Sequence, residues 1–247
     1  MRAVEWFENW FETSYYHTLY KNRDESEAQK FIERVVKQLD LKTGAKVLDL
    51  ACGRGRHSQI LAQLGFHVTG ADLSKNSIQH AKTHISEEVE FIVHDMREPL
   101  KKSFDAVFNL FTSFGYFDHV SDNLKVLKSV RSELNPQGSF ILDFLNSRHA
   151  IETMVPTEEK LIDGCHFHIN RYVEDGIIVK KIRVIDPKNK VDTQYFEKVN
   201  AFSFDDLSKM LDMAGFKVVD VWGDYKLNKF EEKSASERCI FYCQPKL

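Results

Sequence analysis

The sequence has few cysteines, no long apolar run and little net charge. Its four cysteines are scattered along 247 residues. Cys239 and Cys243 would share a strand face about 13 Å apart, too far to bridge, so we expect reduced thiols. No run of about 18 apolar residues is present to span a bilayer. The net charge of −3 argues against a non-specific grip on nucleic-acid phosphates. These shortages predict a soluble protein with neither a membrane nor a nucleic acid as its partner.

Targeting signals, internal repeats and low-complexity segments are also missing. The first residues, M-R-A-V-E-W-F-E-N-W-F, are acidic and aromatic and include no small-residue cleavage site. A secretory signal is therefore not expected, and the cytoplasm is the expected compartment. The length of 247 residues suits one α/β domain with an elaboration, and 43% hydrophobic residues are ample for a buried core.

What the sequence does contain is a strand, a glycine pair and a helix in direct succession. The stretch 47–58 reads V-L-D-L-A-C-G-R-G-R-H-S. Gly53 and Gly55 let the backbone approach a ligand closely, and the following helix presents its free N–H groups there. Asp72 ends the next apolar run, 17 residues beyond Gly55, where its carboxylate could accept both ribose hydroxyls. The pattern predicts a nucleotide-cofactor loop, and the duller alternative is that Asp72 only caps the next turn.

Ser58 stands where a dinucleotide-binding loop has its third glycine, which weakens a pyrophosphate interpretation. Asp49 lies four residues before Gly53, giving D-x-x-x-G-x-G, and this resembles motif I of the class I S-adenosylmethionine-dependent methyltransferases. The resemblance implies that the loop backbone lies against the methionine part of the cofactor and that the acidic residue organises loop and ligand. The matching positions are Asp49, Ala51, Cys52, Gly53 and Gly55. Ala51 stands where many members have glycine, which is tolerable if its φ is negative.

The resemblance continues beyond the loop. Asp95, in F-I-V-H-D-M-R, matches the family's acidic residue after the third strand. This match implies a hydrogen bond to the adenine amino group, with Met96 donating a backbone N–H. Residues 104–117 look like the fourth strand and the loop where cofactor meets substrate, so residues 109–116 are expected to face the transfer site. The resemblance therefore adds to the cofactor-binding set Asp72, Leu73, Asp95, Met96, Asn109 and Leu110.

Hydrophobic periodicity predicts the surrounding fold. Strands are predicted near 46–51, 67–71, 89–94, 104–111 and 138–145, and helices near 55–64, 74–84 and 121–134. An amphipathic helix is predicted before them, after a capping pattern from Asp24 to Glu27. The alternation of strands and helices indicates right-handed crossovers and a parallel sheet that binds ligands at its carboxyl edge.

The pattern changes after Asn146. Residues 158–201 are typical of a meander of three antiparallel strands, with one turn at Asp175-Gly176 and a longer one around Pro187. By resemblance, an antiparallel sheet at this place occurs in small-molecule methyltransferases, including those acting on glycine and on amino sugars. There it covers the active site.

The C-terminal part completes the predicted sheet. Ser203, with Asp206 three residues on, caps a helix that ends at Gly215, and two final strands near 216–223 and 238–245 form a hairpin. The predicted fold is α/β, a doubly wound and mostly parallel seven-stranded sheet with an antiparallel last strand, plus a small antiparallel β insertion. We expect an N-terminal helical cap at 1–40, an S-adenosylmethionine-binding methyltransferase domain at 41–147 and 202–247, and the insertion over the active site at 148–201.

The N-terminal segment is rich in aromatic residues, namely Trp6, Phe7, Trp10, Phe11, Tyr15, Tyr16 and Tyr20. Aromatic residues of this kind more often form a hydrophobic core or a docking surface than take part in catalysis. A cofactor sulfonium, however, is attracted to aromatic faces, and a closed site strengthens such contacts. A helix that carries Tyr16 and Tyr20 is therefore a candidate lid over the cofactor.

The substrate and catalytic candidates follow from the chemistry of methyl transfer. The protein has mainly to align nucleophile, methyl and sulfur in a dry pocket, so a general base is optional. An amine must be neutral to attack, and a nearby proton acceptor or a partly desolvated site helps. Tyr116 and His119 are the candidates to hold or deprotonate the substrate. Further substrate candidates, from the insertion, are His168, Arg171 and Glu197.

Sequence motifs that are missing narrow the class of methyl acceptor. Enzymes that methylate base amines commonly carry two prolines after the fourth strand, and residues 109–112, N-L-F-T, have none. The remaining candidate substrate is a small metabolite. The sequence does not decide whether it is methylated at nitrogen or at oxygen. His166 and His168 share a strand face, but no third ligand is near them in sequence, so a metal site is not expected.

Two other functional classes stay open. A NAD(P)-dependent oxidoreductase would share the strand, glycine loop and acidic residue, but it would leave Asp49 and Asp95 unexplained. A non-catalytic S-adenosylmethionine-binding module is harder to exclude. The exposed edges of the meander could pair between subunits, so a homodimer is a further hypothesis.

Overall fold

The N-terminal segment folds into three helices that lead into a central sheet. The structure, a computed structural model, describes residues 5–21, 25–84, 88–231 and 236–246. The helices are α1 (Trp6–Trp10), α2 (Ser14–Leu19) and α3 (Glu25–Leu39). Helix α2 begins where the Thr13 hydroxyl accepts a hydrogen bond from the Tyr16 amide. The cap expected at Asp24 lies outside the described residues.

Seven strands form the central sheet, sheet A. They are β1 (Lys46–Leu50), β2 (His67–Asp72), β3 (Val89–Val93), β4 (Phe104–Asn109), β5 (Leu134–Leu145), β10 (Phe216–Trp222) and β11 (Arg238–Pro245). Their order is β10-β11-β5-β4-β1-β2-β3. Strand β11 runs antiparallel to both β5 and β10, while the pairs among β1 to β5 are parallel. The predicted mostly parallel sheet with an antiparallel last strand is confirmed.

Helices cover both faces of sheet A, as the doubly wound prediction requires. The remaining helices are α4 (Arg56–Gln63), α5 (Lys75–Ala81), α6 (Val120–Glu133), α7 (Ser147–Glu152) and α8 (Phe204–Met213). Helices α3, α4 and α5 pack on one face, against Val47 and Phe108. Helices α6 and α8 pack on the other face, against Leu48 and Val107. Neighbouring residues of β1 and β4 thus point into separate cores, which is why these strands are apolar throughout.

A second, antiparallel sheet, sheet B, has four strands rather than the three predicted. They are β6 (Thr157–Ile162), β7 (Cys165–Glu174), β8 (Ile177–Asp186) and β9 (Val191–Asn200). The three-strand prediction is wrong because β6, T-E-E-K-L-I, is an edge strand that shows no apolar alternation. The missed signal is Asp163-Gly164, with φ values of +51° and +81°. It is the same hairpin dipeptide as Asp175-Gly176.

Sheet B packs against the N-terminal helices and reaches the carboxyl edge of sheet A. Trp10 of α1 is fully buried in a cluster with Phe167 and Ile182 of sheet B. At the end of β9, the Asn200 side-chain amide donates to the carbonyl oxygens of Gly115 and Phe117, at 2.7 and 2.9 Å. The insertion is therefore anchored to the loop that follows β4. Of the helices described, none combines the length and the apolar character needed to cross a membrane.

Candidate active site

One cavity of about 970 Å³ lies at the carboxyl edge of sheet A. Residues at or after the ends of β1 to β5 form its floor, from Ala51 in the glycine loop to Leu145. Aromatic residues of α1 and α2 and the β9 residue Glu197 form the opposite walls. Because β1 lies between β2 and β4, the strand order reverses beside the glycine loop, which is where open α/β sheets bind their ligands.

The glycine loop is held by one carbonyl oxygen of the neighbouring strand. The amides of Ala51 and Cys52 both donate to the Ala71 carbonyl, at 2.7 and 3.1 Å. This arrangement gives Ala51 a φ of +64°. The negative φ that would make alanine tolerable here is therefore not found, and Ala51 has the left-handed backbone that favours glycine.

The two glycines of the loop have different roles. Gly53 has a φ of +55° and open space where a side chain would begin, so its backbone is exposed to the cavity. A Cβ on Gly55 would lie 2.4 Å from the Phe91 ring. Gly55 is not on the cavity wall, and it allows α4 to begin close to β3.

Asp49 and Ser58 lie together beneath the loop. The Ser58 hydroxyl donates to Asp49 Oδ2 at 2.6 Å, and both side chains are buried. Burial raises the pKa of Asp49 to about 6, against the opposing effect of the Ser58 hydrogen bond. Ser58, which departs from the dinucleotide motif, therefore has its own task of binding the motif I carboxylate.

Asp72 both caps a turn and faces the cavity. Its Oδ2 accepts from the Gly53 amide and its Oδ1 from the Ser74 amide, each at 2.8 Å. Burial raises the pKa of Asp72, and these two backbone hydrogen bonds oppose the shift. The structure shows Asp72 capping a turn and also lining the cavity, and its contact with a ribose stays a prediction.

Asp95 lies on the cavity wall in an ion pair that sequence analysis missed. Arg97 Nη2 lies 2.6 Å from Asp95 Oδ2 and 3.0 Å from Glu5 Oε2. The hydrogen bond to Asp95 raises the pKa of Arg97. Met96 and Leu73 also line the cavity. Arg97 thus joins the end of β3 to Glu5, the residue that precedes α1. The opposite charges of Asp95 and Arg97, two residues apart, were the sequence signal for this ion pair.

The loop after β4 brings several expected residues to the cavity. Leu110 and Tyr116 line it. The Tyr116 hydroxyl donates to the Thr112 carbonyl oxygen, and the Trp6 indole N–H donates to the Tyr116 carbonyl oxygen at 3.3 Å. Asn109 lies behind the wall, where its amide nitrogen donates to the Leu50 carbonyl oxygen at 3.2 Å.

Glu197 forms a polar cluster at the aromatic wall of the cavity. Its Oε1 accepts from the Trp10 indole N–H and from the Tyr20 hydroxyl, both at 2.7 Å. Lys180, which sequence analysis missed, has its Nζ 3.4 Å from Glu197 Oε2 and hydrogen-bonds to the Tyr20 hydroxyl. Burial lowers the pKa of Lys180. Tyr16 lines the same cavity as Tyr20, where the proposed lid would place it.

Three of the expected substrate residues lie away from the cavity wall. His119 is an exposed residue at the N-cap of α6. His168 Nδ1 lies 3.0 Å from Glu159 Oε1, and Arg171 Nη2 lies 2.6 Å from Glu158 Oε2. The structure therefore brings Tyr116 and Glu197 together at the cavity and leaves the other three on its outside.

The cavity fits S-adenosylmethionine and a small acceptor together. The open space at Gly53 lets a ligand approach the loop backbone. The carboxylates of Asp72 and Asp95 lie at the ends of adjacent parallel strands, where they can accept from ribose hydroxyls and an adenine amino group. Aromatic faces suit a sulfonium, and about 970 Å³ is at the upper end of the range for small-molecule sites.

Comparison with known proteins agrees with this geometry. A family model described as a methyltransferase domain matches residues 41–215. The chain is 27% identical to the glycine/sarcosine N-methyltransferase of Halorhodospira halochloris, over 83% of this chain and 76% of that protein. It is 36% identical over 109 residues to a ubiquinone biosynthesis O-methyltransferase of Xanthomonas campestris, over 42% of this chain and 44% of that protein. The chain spans less than half the length of several such relatives.

Solved structures share the fold. An S-adenosylmethionine-dependent methyltransferase of Clostridium acetobutylicum superposes with a TM-score of 0.79 at 20% identity, covering 94% of this chain and 96% of that one. The sugar N-methyltransferase KedS8 of a Streptoalloteichus species superposes with a TM-score of 0.74 at 18% identity, covering 94% and 93%. With the family model matching well over half of its length, the chain belongs to the methyltransferase-domain family and has the class I fold of S-adenosylmethionine-dependent methyltransferases.

Proposed function

We propose that this chain transfers a methyl group from S-adenosylmethionine to a nitrogen of a small amine metabolite. The observation that carries the proposal is the Glu197 carboxylate on the aromatic wall of the cavity whose floor is the glycine loop. Among its relatives, the glycine/sarcosine enzyme aligned over most of this chain is an N-methyltransferase by name. Support for nitrogen therefore comes from both the Glu197 carboxylate on the cavity wall and the longer of the two relatives' alignments.

The floor of the cavity is the proposed cofactor side. Asp72 binds the ribose hydroxyls, Asp95 and the Met96 amide bind the adenine, and the backbone of residues 51–53 lies against the methionine part. Leu73 and Leu110 flank these groups. When bound, S-adenosylmethionine supplies a methyl group that is already electrophilic. The chain has then to bind the cofactor and the acceptor, orient them for transfer and exclude water from the reacting atoms.

Glu197 and Tyr116 form the proposed acceptor side. The Glu197 carboxylate and the aromatic faces around it both favour a protonated amine, which would share Glu197 with Lys180 Nζ, 3.4 Å from Glu197 Oε2. Once bound, the amine must lose a proton before it attacks, and Glu197 is the proposed acceptor of that proton. Since the Tyr116 hydroxyl donates to Thr112, its oxygen can accept a hydrogen bond from the acceptor.

Two segments close the site in this proposal. Trp6, Phe11, Tyr16 and Tyr20 of the N-terminal helices lie on the cavity wall, and sheet B holds them through the Trp10 and Tyr20 bonds to Glu197. We propose that the N-terminal cap and the insertion together act as a cover. A cover of this kind excludes water from the reacting atoms and strengthens the electrostatic contacts inside.

Methyl transfer from labelled S-adenosylmethionine to panels of amino acids, amino sugars and their hydroxyl analogues tests the proposal. We expect amines to be labelled. Glu197→Gln should lower kcat/KM for the amine about 100-fold, because the amide cannot take the proton. The matched control is Glu159→Gln, an exposed carboxylate outside the cavity, which should retain the wild-type rate.

Calorimetry separates the cofactor from the acceptor. S-adenosylhomocysteine should bind to wild type and to Glu197→Gln equally, and Asp72→Ala should lose the binding. Labelling of hydroxyl analogues alone, or an undiminished rate in Glu197→Gln, would contradict the amine proposal. Binding of NADH in place of S-adenosylhomocysteine would instead indicate an oxidoreductase.

A further inference from the structure

A buried ion pair lies directly behind the cavity wall. The Asp143 carboxylate, at 0% exposure, is near the end of β5, and Arg238 is at the start of the neighbouring strand β11. Arg238 Nε and Nη2 donate to Asp143 Oδ1 at 2.8 and 2.6 Å. Asp143 Oδ2 accepts from the Phe111 amide at 2.7 Å and from the Tyr225 hydroxyl at 3.3 Å. One carboxylate thus joins β5, β11 and the loop after β4.

The loop bound by this pair is strained. Phe111 and Thr112 have φ values of +57° and +60°, and neither is glycine. Two successive left-handed residues with side chains persist only where the surroundings over-determine them. Here the Thr112 amide donates to the Asp143 carbonyl oxygen at 3.0 Å, and Arg238 Nη2 donates to Thr112 Oγ1 at 2.8 Å. Asp143 and Arg238 therefore supply the hydrogen bonds that hold both residues.

The strained turn forms part of the proposed site. The Phe111 ring stacks on the His57 ring of α4, with centroids 4.8 Å apart and planes within 10°. The Thr112 carbonyl oxygen accepts from the Tyr116 hydroxyl. The position of this turn consequently determines where the Phe111 ring lines the cavity beside α4. It also determines the direction in which the Tyr116 hydroxyl points.

We infer that Asp143 and Arg238 are positioning residues for methyl transfer, which hold the Phe111-Thr112 turn in the conformation that the cofactor site requires. The inference rests on the proposed cofactor site, but it does not depend on the acceptor being an amine. Neither residue touches the reacting atoms, and neither lines the cavity. Their effect passes through Phe111 to the cofactor side and through Thr112 to Tyr116.

Asp143→Asn and Arg238→Lys test the inference by S-adenosylhomocysteine calorimetry without any acceptor. Asp143→Asn keeps the shape but loses the charge, and we expect the affinity to fall about tenfold. Arg238→Lys keeps the charge but loses the planar fork whose Nε and Nη2 reach Asp143 and Thr112 together, so a loss of about threefold is expected. Arg238→Lys also provides the test if Asp143→Asn does not fold. In both variants the Phe111 and Thr112 amides should exchange hydrogen faster relative to the amides of β1.

Leu211→Ala separates positioning from general destabilisation. Leu211 is a buried residue of α8 that packs in the core beneath sheet A, and the variant should lower Tm yet keep the affinity within about twofold. Affinities within twofold of wild type in both Asp143→Asn and Arg238→Lys would overturn the inference, as would an equal loss of affinity in Leu211→Ala at equal Tm. Failure of wild type to bind S-adenosylhomocysteine would contradict the proposed function instead. The amide exchange would then still test whether Asp143 and Arg238 hold the Phe111-Thr112 turn, because it needs no cofactor.

Discussion

Ala51 has a left-handed backbone because two successive amides, its own and that of Cys52, donate to one carbonyl oxygen of β2. This pairing turns the chain out of β1 and presents Gly53 to the cavity. The alanine methyl is accommodated, but the backbone conformation costs it about 1–2 kcal/mol relative to a negative φ. The hydrogen bonds to β2 therefore hold Ala51 in a backbone conformation that alanine by itself disfavours.

Ala51→Gly should raise the free energy of unfolding by about 0.5–1 kcal/mol. The removed backbone strain exceeds the extra entropy that glycine loses on folding. Urea unfolding measures the change. The matched control is Ala62→Gly within α4, which should lower stability by about 0.5–1 kcal/mol. Equal destabilisation at both positions would show that Ala51 carries no strain.

Helix α8 shows how a local sequence pattern determines an element. The Ser203 hydroxyl accepts from the Asp206 amide at 3.1 Å, and Asp206 Oδ2 accepts from the Ser203 amide at 3.0 Å. This capping box satisfies two backbone donors within four residues, so the helix start was correctly predicted from sequence. Gly215, with a φ of +86°, lies just beyond the C-cap Ala214, as expected for the helix end.

Ser203→Ala should lower the free energy of unfolding by about 1 kcal/mol, because the Asp206 amide loses its acceptor. Ser208, on the same helix, gives the control, since its buried hydroxyl has no hydrogen-bond partner among the residues that the structure describes. Ser208→Ala should leave stability unchanged or raise it. Thermal unfolding of both variants makes the comparison, and a larger loss for Ser208→Ala would contradict the capping account.

At the scale of the whole molecule, a buried carboxylate makes stability depend on pH. Glu133 ends α6 at 3% exposure and accepts from the Leu100 amide. Burial raises its pKa from 4.5 to about 7. Because the folded pKa lies above the unfolded one, Glu133 contributes most stability below about pH 4.5. That contribution is lost as pH rises through 7, where the folded chain must bury an ionised carboxylate.

Glu133→Gln should therefore raise the free energy of unfolding at pH 9 by about 1–3 kcal/mol, with the gain vanishing near pH 4.5. Urea unfolding at several pH values gives the difference between variant and wild type, in which other titrating groups cancel. Glu152→Gln, an exposed position, should shift stability by less than about 0.5 kcal/mol at every pH. A constant gain across the range would mean that Glu133 does not titrate with folding.

The cavity itself is also a property of the whole molecule. Its floor comes from strand ends between residues 50 and 145, and its aromatic wall from residues 6–20 and 197–199. Trp10 and Tyr20 meet Glu197 across more than 170 positions of sequence. Such a meeting depends on how sheet B packs against the N-terminal helices, and no local pattern encodes it.

The sequence by itself determined the features that depend on neighbours along the chain. These include the α/β alternation, the seven-stranded sheet, the D-x-x-x-G-x-G loop and the α8 capping box. They are local because periodicity, capping and turn chemistry act over a few residues. The tertiary structure alone decided the left-handed φ of Ala51, the meeting of Trp10 and Tyr20 with Glu197, and the Asp143–Arg238 pair. These depend on hydrogen bonds and packing between segments far apart in sequence, whose geometry exists only once the strands have paired.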